Sequence, residues 1–185
     1  MVRGAGPQAT AGPRVVLIGP PGSGKTTVGR ALAALLGVQL CDTDQEIELQ
    51  QGRSISDIFV DEGESAFREI EQAQVVSSLS SQCGVVSLGG GAVMNPASTA
   101  ALAEHLVVFL DVGIAEAAAR VGFNQSRPLL SVNPRAQWTA MMAVRRPVYD
   151  QLATFTVLTT GRTPQDIAAE IADRLQADVT GGPHE

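Results

Sequence analysis

The chain has 185 residues and a formal net charge of −6, with 17% charged and 44% hydrophobic residues. This length suits one domain with a well-filled core, and the acidic balance argues against a nucleic-acid groove, which is built from clustered Lys and Arg. The apolar stretches are far shorter than the ~20 residues that span a bilayer, and the first residues do not open a signal peptide. We therefore expect a cytoplasmic protein without nucleic-acid or membrane partners, and we expect it to be a monomer.

The ends of the chain and its cysteines set further bounds. Residues 1–13 and 177–185 have little to bury, so we expect disordered tails on a single domain that spans residues 14–176. The two cysteines form no C-x-x-C pair and the two histidines lie far apart, so we expect no zinc-ligand cluster. Any metal should be a hard cation bound by oxygen.

Residues 19–26 read GPPGSGKT and fit the pattern G-x-x-x-x-G-K-[ST] without a substitution. The apolar run 14–18 before them predicts a buried strand, and apolar residues at helical spacing over 28–36 predict a helix. A phosphate-binding loop requires this context, because its glycines let backbone N–H groups point at phosphate oxygens at the start of a helix. The alternative is a glycine-rich turn that binds nothing, and such a turn does not need a strand before it and a helix after it. We name residues 19–26 the phosphate loop.

The phosphate loop holds the only lysine of the chain, because 12 of the 13 basic residues are arginine. In such a loop this lysine, Lys25, reaches the β- and γ-phosphates, and the Thr26 hydroxyl ligates Mg²⁺. The residues that we expect to bind the nucleotide here are Gly22, Ser23, Gly24, Lys25, Thr26 and Thr27.

Two aspartates follow the next predicted strand, which covers residues 38–41. Asp42 and Asp44 come at its carboxyl end, where open α/β sheets bind ligands. In an extended chain their side chains would project to the same side, about 6–7 Å apart, which is enough to address different ligands. The alternative is that they cap the following helix, which suits one aspartate more easily than both.

The rest of the chain alternates between helix and strand. The predicted elements are a helix over 45–51, a helical turn capped by Ser54, a helix over 63–81, a strand over 85–88, a helix over 96–104, a strand over 106–110, helices over 114–121 and 135–152, a strand over 155–158 and a helix over 163–176. Residues 122–134 lose this periodicity and predict a mobile loop. The alternation predicts an α/β fold, a parallel sheet with helices on both faces in the three-layer architecture of P-loop kinases.

Gly89, Gly90 and Gly91 come directly after the predicted strand 85–88 and would let the backbone lie against a ligand. We name them the glycine turn. With this turn in place the sequence resembles the shikimate kinases over about residues 14–176. The resemblance rests on five features in order, which are the phosphate loop, Asp42-Thr43-Asp44, FREIE at 67–71, the glycine turn, and RPLL at 127–130 followed by RRPVY at 145–149.

The resemblance implies ATP-dependent phosphorylation of the 3-hydroxyl of shikimate, a step towards chorismate and the aromatic amino acids. Shikimate and ATP would be the small-molecule partners and Mg²⁺ the cofactor. Shikimate carries a carboxylate and three hydroxyls, so its site needs guanidinium groups for the acid and carboxylate or backbone groups for the alcohols. The substrate-binding residues that the resemblance implies are Asp44, Arg68, Gly89, Gly90, Gly91 and Arg145.

The resemblance also implies a role for each of these residues. Arg68 and Arg145 would hold the carboxylate, with the backbone N–H of Gly90. Asp44 would accept hydrogen bonds from the hydroxyls, orient the attacking one and take its proton. Asp42 would act on Mg²⁺ through the water shell of the metal, because Mg²⁺ takes few protein ligands.

Two of these arginines have alternatives. Arg68 lies within one helical turn of Glu64 and Glu71, so it could form only a surface ion pair. Arg145 is adjacent to Arg146, and spacing cannot choose between them. The family pattern of an arginine two residues before a proline selects Arg145.

Arg127 belongs to the segment 122–134, which the resemblance identifies as a lid. Arg127 would close onto the ATP phosphates, where a cation stabilises the transferring phosphoryl charge and excludes water. With Lys25 and Asp44 it completes the expected catalytic set, and its alternative is an exposed loop arginine. Arg120 and Arg162 would flank the adenine.

Two other functions are open from the residues alone. A nucleoside monophosphate or gluconate kinase would also contain a phosphate loop, but the former usually has a longer, arginine-rich lid. A nucleotide-binding regulator that has lost catalysis belongs to another class of protein, and it would need neither Asp44 nor Arg127.

Overall fold

The computed structural model describes residues 12–82, 84–121 and 133–180. Its strands are β1 (Val15–Ile18), β2 (Leu40–Asp42), β3 (Val85–Ser87), β4 (Val107–Asp111) and β5 (Phe155–Leu158). The α-helices of these residues are α1 (Lys25–Leu36), α2 (Thr43–Gln51), α3 (Ile55–Asp61), α4 (Gly63–Ser81), α5 (Pro96–Leu102), α6 (Ile114–Val121), α7 (Pro134–Leu152) and α8 (Pro164–Thr180). None of these helices is both long and apolar enough to cross a membrane.

The five strands form one sheet in the order β2-β3-β1-β4-β5, and every neighbouring pair is parallel. β1 therefore lies at the centre, where Val15 pairs with Val85 of β3 and Val16 pairs with Val107 of β4. Because the strands are parallel, their carboxyl ends meet at one edge of the sheet. That edge carries the phosphate loop, the two aspartates and the glycine turn, although these lie far apart in the sequence.

Helices cover both faces of the sheet because the strands alternate their side chains between two cores. Val16 and Ile18 of β1 point into a core shared with α4, α5 and α7. Val15 and Leu17 point into a second core, shared with α1 and α8. All four side chains are buried. The predicted three-layer α/β architecture is confirmed.

The structure corrects the predicted ends of the domain. α8 runs to Thr180, so residues 177–180 are helical and do not belong to a disordered tail. After Pro164 the next strong helix breaker is Gly181, which explains why the helix does not end at residue 176. At the other end Gly12 is buried. The remainder of the two predicted tails, residues 1–11 and 181–185, lies outside the described residues.

The predicted loop 122–134 lies mostly outside the described residues, which resume at Asn133. The Asn133 side chain accepts a hydrogen bond from the backbone N–H of Ala136 at 3.0 Å and caps α7. Pro134 is the first residue of the helix, a position where proline is favoured because its N–H is not needed. The last two residues of the predicted loop therefore form the start of a helix.

Candidate active site

The phosphate loop connects β1 to α1 through left-handed glycines. Gly22 and Gly24 have φ values of 85° and 87°, and α1 starts at the next residue, Lys25. In the described part of the chain no side chain caps this helix start, and its first turn, which includes the exposed Thr27, carries no acidic residue. The Ser23 hydroxyl is buried without a hydrogen-bond partner among the described residues. The backbone N–H groups at the start of α1, the Ser23 hydroxyl and the positive end of the helix fit a phosphate group.

Lys25 is folded back over the phosphate loop. Its Nζ donates hydrogen bonds to the carbonyl oxygens of Gly19 at 2.8 Å and Pro20 at 3.1 Å. Burial lowers the pKa of the ammonium group to about 8, against the opposing effect of the Asp44 and Asp42 carboxylates. The loop thus holds one cation next to two anions, and phosphate oxygens could replace the two carbonyls as its partners.

Asp42 ends β2 and connects it to two other elements. Its Oδ2 accepts hydrogen bonds from the hydroxyls of Thr26 at 2.6 Å and Ser87 at 3.0 Å. Its Oδ1 accepts from the backbone N–H groups of Asp44 at 3.2 Å and Gln45 at 3.4 Å, and so caps α2. Asp42 is therefore a helix cap and, through its other oxygen, a partner of the phosphate loop.

Thr26 and Asp42 present adjacent hydroxyl and carboxylate oxygens, which are the ligands that Mg²⁺ prefers. Within residues 12–82, 84–121 and 133–180 no group of three or more His, Cys, Asp or Glu side chains could hold a metal ion. A Mg²⁺ at Thr26 and Asp42 would therefore rely on phosphate oxygens and water for its other ligands. Mg²⁺ commonly binds to proteins in this way beside phosphates.

Asp44 lies in the first turn of α2 and not in an extended chain, so the expected same-side projection of the two aspartates is wrong. The chain turns into the helix directly after Asp42. The Oδ1 of Asp44 is buried and has no hydrogen-bond partner in the described part of the chain. Burial, with the charges of Asp42 and Glu71, raises the pKa of Asp44 to about 6, although Lys25 lowers it. A carboxylate in this state can accept a proton from a hydroxyl.

The glycine turn leaves room for a different neighbour at each of its three residues. A side chain at any of them would collide with or crowd a group of the site. A Cβ atom would lie 2.4 Å from Oδ1 of Asp44 at Gly89, 3.1 Å from Cδ of Pro21 at Gly90, and 2.5 Å from Nη1 of Arg68 at Gly91. The turn therefore brings the phosphate loop, the buried aspartate and one arginine into contact with a single stretch of backbone.

Arg68 forms the ion pairs that its spacing suggests. Its Nη2 lies 3.0 Å from Oε1 of Glu64, whose side chain is 68% exposed. Its Nη1 lies 2.7 Å from Oε2 of Glu71, whose side chain is 3% exposed. The Glu71 side of the inner ion pair is thus buried next to the glycine turn, and Arg68 is more than a surface arginine.

The two adjacent arginines of α7 point in different directions. Arg145 donates from Nη1 to the carbonyl oxygen of Gly90 at 2.9 Å. Arg146 pairs with Oδ1 of Asp111 in β4 at 2.5 Å. Tyr149, one turn after Arg145, donates its hydroxyl to the same Gly90 carbonyl at 2.6 Å. Of the two arginines, Arg145 is the one that contacts the glycine turn.

The three remaining predicted arginines differ in what surrounds them. Arg120 donates from Nη1 to the carbonyl oxygen of Gly22 at 3.2 Å, so it lies against the phosphate loop. Arg162 follows β5 and pairs with Glu170 of α8 at 2.5 Å. Arg127 lies outside the described residues. The nucleotide contacts of all three stay predictions.

Four residues of the site had no predicted role. The Thr43 hydroxyl accepts a hydrogen bond from the backbone N–H of Gly89 at 3.0 Å, and the Ser87 hydroxyl donates one to Asp42. Tyr149 donates a hydrogen bond to the glycine turn, and Nε1 of Trp138 lies 3.4 Å from a carbonyl oxygen of the phosphate loop. Thr43 and Ser87 carry a signal in the sequence, because they are polar residues at the ends of apolar strands. Tyr149 belongs to the RRPVY feature of the resemblance but had no assigned contact, and Trp138 carries no signal, since the contacts of both depend on how α7 crosses the edge of the sheet.

A parallel five-stranded sheet, a phosphate loop after its central strand, and acidic and basic groups around a glycine turn define a P-loop kinase of the small-molecule class. A family model described as shikimate kinase matches residues 21–176. The chain belongs to the shikimate kinase family.

Curated relatives and solved structures agree with this family. The chain is 54% identical to the shikimate kinase of Thermobifida fusca over 165 residues, which cover 89% of this chain and 96% of the relative. It is 50% identical to that of Mycobacterium tuberculosis, over 89% of this chain and 94% of the relative. A solved shikimate kinase from Acinetobacter baumannii in complex with shikimate matches with a TM-score of 0.85 and 34% identity, over 92% and 96% of the two chains.

Proposed function

We propose that this chain transfers the γ-phosphoryl group of ATP to the 3-hydroxyl of shikimate, giving shikimate 3-phosphate and ADP on the route to chorismate and the aromatic amino acids. The observation that carries the proposal is the position of Asp44, whose unpaired Oδ1 faces the glycine turn within the described residues. Arg68 and Arg145 adjoin the same turn. Membership in the shikimate kinase family, and the similarity to a relative solved with shikimate, support this acceptor.

The phosphate loop binds the nucleotide in this proposal. Its N–H groups and the Ser23 hydroxyl take phosphate oxygens, and Lys25 exchanges its two carbonyl partners for the β- and γ-phosphates. Thr26 and Asp42 would hold Mg²⁺, Asp42 through the water shell of the metal, and the bound metal would neutralise charge on the phosphates. Arg120 and Arg162 flank the adenine, and Arg127 reaches the phosphates from the segment 122–134.

The acceptor lies between the glycine turn and Asp44. Arg68 and Arg145 hold its carboxylate, together with the backbone N–H of Gly90. Asp44 accepts the hydrogen bond of the 3-hydroxyl, aims its oxygen at the γ-phosphorus and receives its proton. Because phosphoryl transfer passes through a loose transition state, the positioning of these groups contributes more than early proton removal. We propose that the protein works in this way as a cytoplasmic monomer.

A coupled assay of ADP release over a panel of acceptors tests the proposal. The panel holds shikimate, gluconate, AMP and CMP at equal concentrations, with ATP and Mg²⁺ in excess. A site built on hydrogen bonds to substrate hydroxyls can reject an analogue that lacks them by about 10⁴-fold, so shikimate should give by far the highest kcat/KM. A higher kcat/KM for gluconate or a nucleoside monophosphate would overturn the proposed function.

A further inference from the structure

The carbonyl oxygen of Gly90 accepts two hydrogen bonds from α7. Arg145 donates from Nη1 at 2.9 Å and Tyr149 donates its hydroxyl at 2.6 Å. Residues four apart lie on the same face of a helix, so both donors reach this carbonyl from one side. The carbonyl belongs to the middle residue of the glycine turn, in which Gly89 adjoins the buried aspartate and Gly90 adjoins the phosphate loop.

The Tyr149 hydroxyl is a fixed and neutral donor. The side chain is fully buried, and its ring stacks on that of Phe109 with centroids 5.0 Å apart and an angle of 22° between the planes. Burial raises the pKa of the hydroxyl, and the positive charge of Arg145 opposes that effect without reversing it. The hydroxyl therefore keeps its proton at neutral pH and donates it to Gly90.

The two donors differ in what else they must do. On the function proposed above, the guanidinium of Arg145 also binds the carboxylate of the acceptor. If Arg145 were the only donor to the Gly90 carbonyl, turning towards the carboxylate would leave a partly buried carbonyl without a partner, which costs free energy. With Tyr149 in place, the carbonyl stays paired while Arg145 moves.

We propose that Tyr149 is a positioning residue for the acceptor acid. Its hydroxyl donates a hydrogen bond to the carbonyl oxygen of Gly90. This bond leaves Arg145 free to bind the carboxylate, and it keeps the N–H groups of the glycine turn directed towards the site. Tyr149 itself does not touch the acceptor. Its effect should therefore depend on the presence of the acid group.

The variant Tyr149→Phe removes the hydroxyl and keeps the ring on Phe109. We expect KM for shikimate to rise about tenfold, which corresponds to ~1.4 kcal/mol and matches the cost of one unpaired, partly buried polar group. We expect kcat to change by less than about threefold and KM for ATP to stay the same, because the phosphate loop keeps its own contacts. Calorimetric titration with shikimate, below the melting temperature of the variant, should give the same tenfold loss of affinity.

Thr99→Val is the matched control. The Thr99 hydroxyl in α5 is partly buried and lies within hydrogen-bond distance of two backbone carbonyls, those of Val93 at 3.0 Å and Asn95 at 3.1 Å, and neither belongs to the glycine turn. Removing this hydroxyl should lower the melting temperature and leave KM for shikimate unchanged. A general loss of stability would therefore not reproduce the KM effect of Tyr149→Phe.

A shikimate analogue in which CH₂OH replaces the carboxylate makes the test specific. The ratio of affinities between wild type and Tyr149→Phe should be about tenfold for shikimate and about one for the analogue. Equal ratios for both ligands, or a wild-type KM in the variant, would overturn the role of Tyr149. If wild type fails to phosphorylate shikimate, the proposed function itself fails, and the acceptor panel shows this separately.

Discussion

Asp42 and Asp44 lie two residues apart in the sequence, and their carboxylates have different partners. Asp42 binds the hydroxyls of Thr26 and Ser87 and caps α2. Asp44 keeps a buried oxygen that is unpaired in the described part of the chain and faces the glycine turn. One carboxylate is thus bound to the phosphate loop, and the other is available to a hydroxyl of the acceptor.

Replacing each aspartate by asparagine should therefore cause different losses. Asparagine caps helices as well as aspartate does, so Asp42→Asn should keep α2 and weaken the metal site. We expect this variant to need about tenfold more Mg²⁺ for half-maximal rate, a loss typical of weakened metal support. Asp44→Asn lacks the proton acceptor, and kcat should fall by about 10²-fold or more whatever the Mg²⁺ concentration.

The measurement is a Mg²⁺ titration of both variants at saturating ATP and several shikimate concentrations. Asp61→Asn is the control, because it also removes one carboxylate charge. Asp61 pairs with Arg53 at 3.2 Å. The control should titrate like wild type. Rescue of Asp44→Asn by added Mg²⁺, with no rescue of Asp42→Asn, would show that the two roles are reversed.

The charge of Asp44 should destabilise the folded protein. Its pKa is raised from 3.8 to about 6, mainly by burial, so the folded state favours the protonated acid. The penalty is absent below pH 3.8, grows as pH rises to about 6 and is constant above that value. Asparagine resembles the protonated acid, so Asp44→Asn should raise the free energy of unfolding by about 1–3 kcal/mol at pH 8.

Urea unfolding at pH 8 and at pH 4.5, with a chelator and no nucleotide, checks this expectation. The stabilisation should shrink at the lower pH, because Asp44 of the folded wild type is then protonated. A variant that is less stable than wild type at both pH values would contradict a buried, unpaired charge at this position.

The residue identities of the site could be predicted from the sequence to different degrees. Lys25 and Thr26 follow from a motif whose mechanism is local, since eight consecutive residues supply it. The choice of Arg145 over Arg146 needed the resemblance, because adjacent residues on one helix differ only in direction. The contact of Tyr149 with Gly90 joins residues 59 positions apart, and no local pattern indicates it.

At the scale of elements, the position of Arg68 depends on the lack of a side chain at Gly91 in the glycine turn. Gly91 has a helical backbone conformation, with φ of −96° and ψ of −14°, so alanine would fit its dihedral angles. The added Cβ would lie 2.5 Å from Nη1 of Arg68, which is the mobile end of a long side chain. Arg68 can move away, but it then gives up its ion pair with the buried Glu71 and leaves the position in which we propose that it binds the acid.

Gly91→Ala should therefore weaken shikimate binding and also lower stability. We expect KM for shikimate to rise at least tenfold through the loss of one arginine contact with the acid. The free energy of unfolding should fall by about 1–3 kcal/mol, because the displaced guanidinium leaves the buried Glu71 without its ion-pair partner. Steady-state kinetics and urea unfolding of the same preparation give both values.

Gly113→Ala is the control for this substitution. A Cβ at Gly113 would meet Oγ1 of Thr160 at 3.5 Å, which is an ordinary contact. Its KM for shikimate should equal that of wild type. If Gly91→Ala also keeps the wild-type KM, Arg68 does not depend on the space that the glycine leaves.

The elements themselves were predictable because their signals are local. The apolar runs of β1, β3 and β4 and the capping box of α3, in which Ser54 and Asp57 bind each other's backbone, can be read along the chain. The end of α8 was not predicted correctly, because residues 177–180 were assigned to the tail and not to the helix. The start of α2 was predicted at residue 45 instead of Thr43, because Asp42 is at once a strand end and the helix cap, a role that was left open as an alternative.

At the scale of the molecule, the sheet order decides which loops meet. β1 and β3 are neighbours although α1, β2 and three further helices separate them in the sequence, so the phosphate loop and the glycine turn lie side by side. Alternating strands and helices predict a parallel sheet but not its strand order. That order was not predicted, and the close approach of Gly90 to Pro21 depends on it.

This contact should couple the two substrates. Gly90 packs on Pro21 of the phosphate loop, and α7 contacts both, with Trp138 near the carbonyl oxygen of Pro21 at 3.4 Å and Arg145 on Gly90. A nucleotide that orders the phosphate loop would also restrict the glycine turn and α7, so shikimate would lose less freedom on binding. We expect ADP to tighten shikimate binding roughly fivefold, at the lower end of typical couplings between sites.

Calorimetric titration of shikimate into the protein, with and without saturating ADP and Mg²⁺, measures this coupling. Linkage requires the same factor when ADP is titrated in the presence of shikimate, which provides an internal check. Trp138→Phe keeps an aromatic ring but removes the Nε1 donor to Pro21, so its coupling factor should fall towards one while the affinity for shikimate alone changes little. A coupling factor of one in wild type would mean that the contact between the phosphate loop and the glycine turn does not couple the binding of the two substrates. A wild-type factor in Trp138→Phe would instead place the coupling in the direct contact between Gly90 and Pro21.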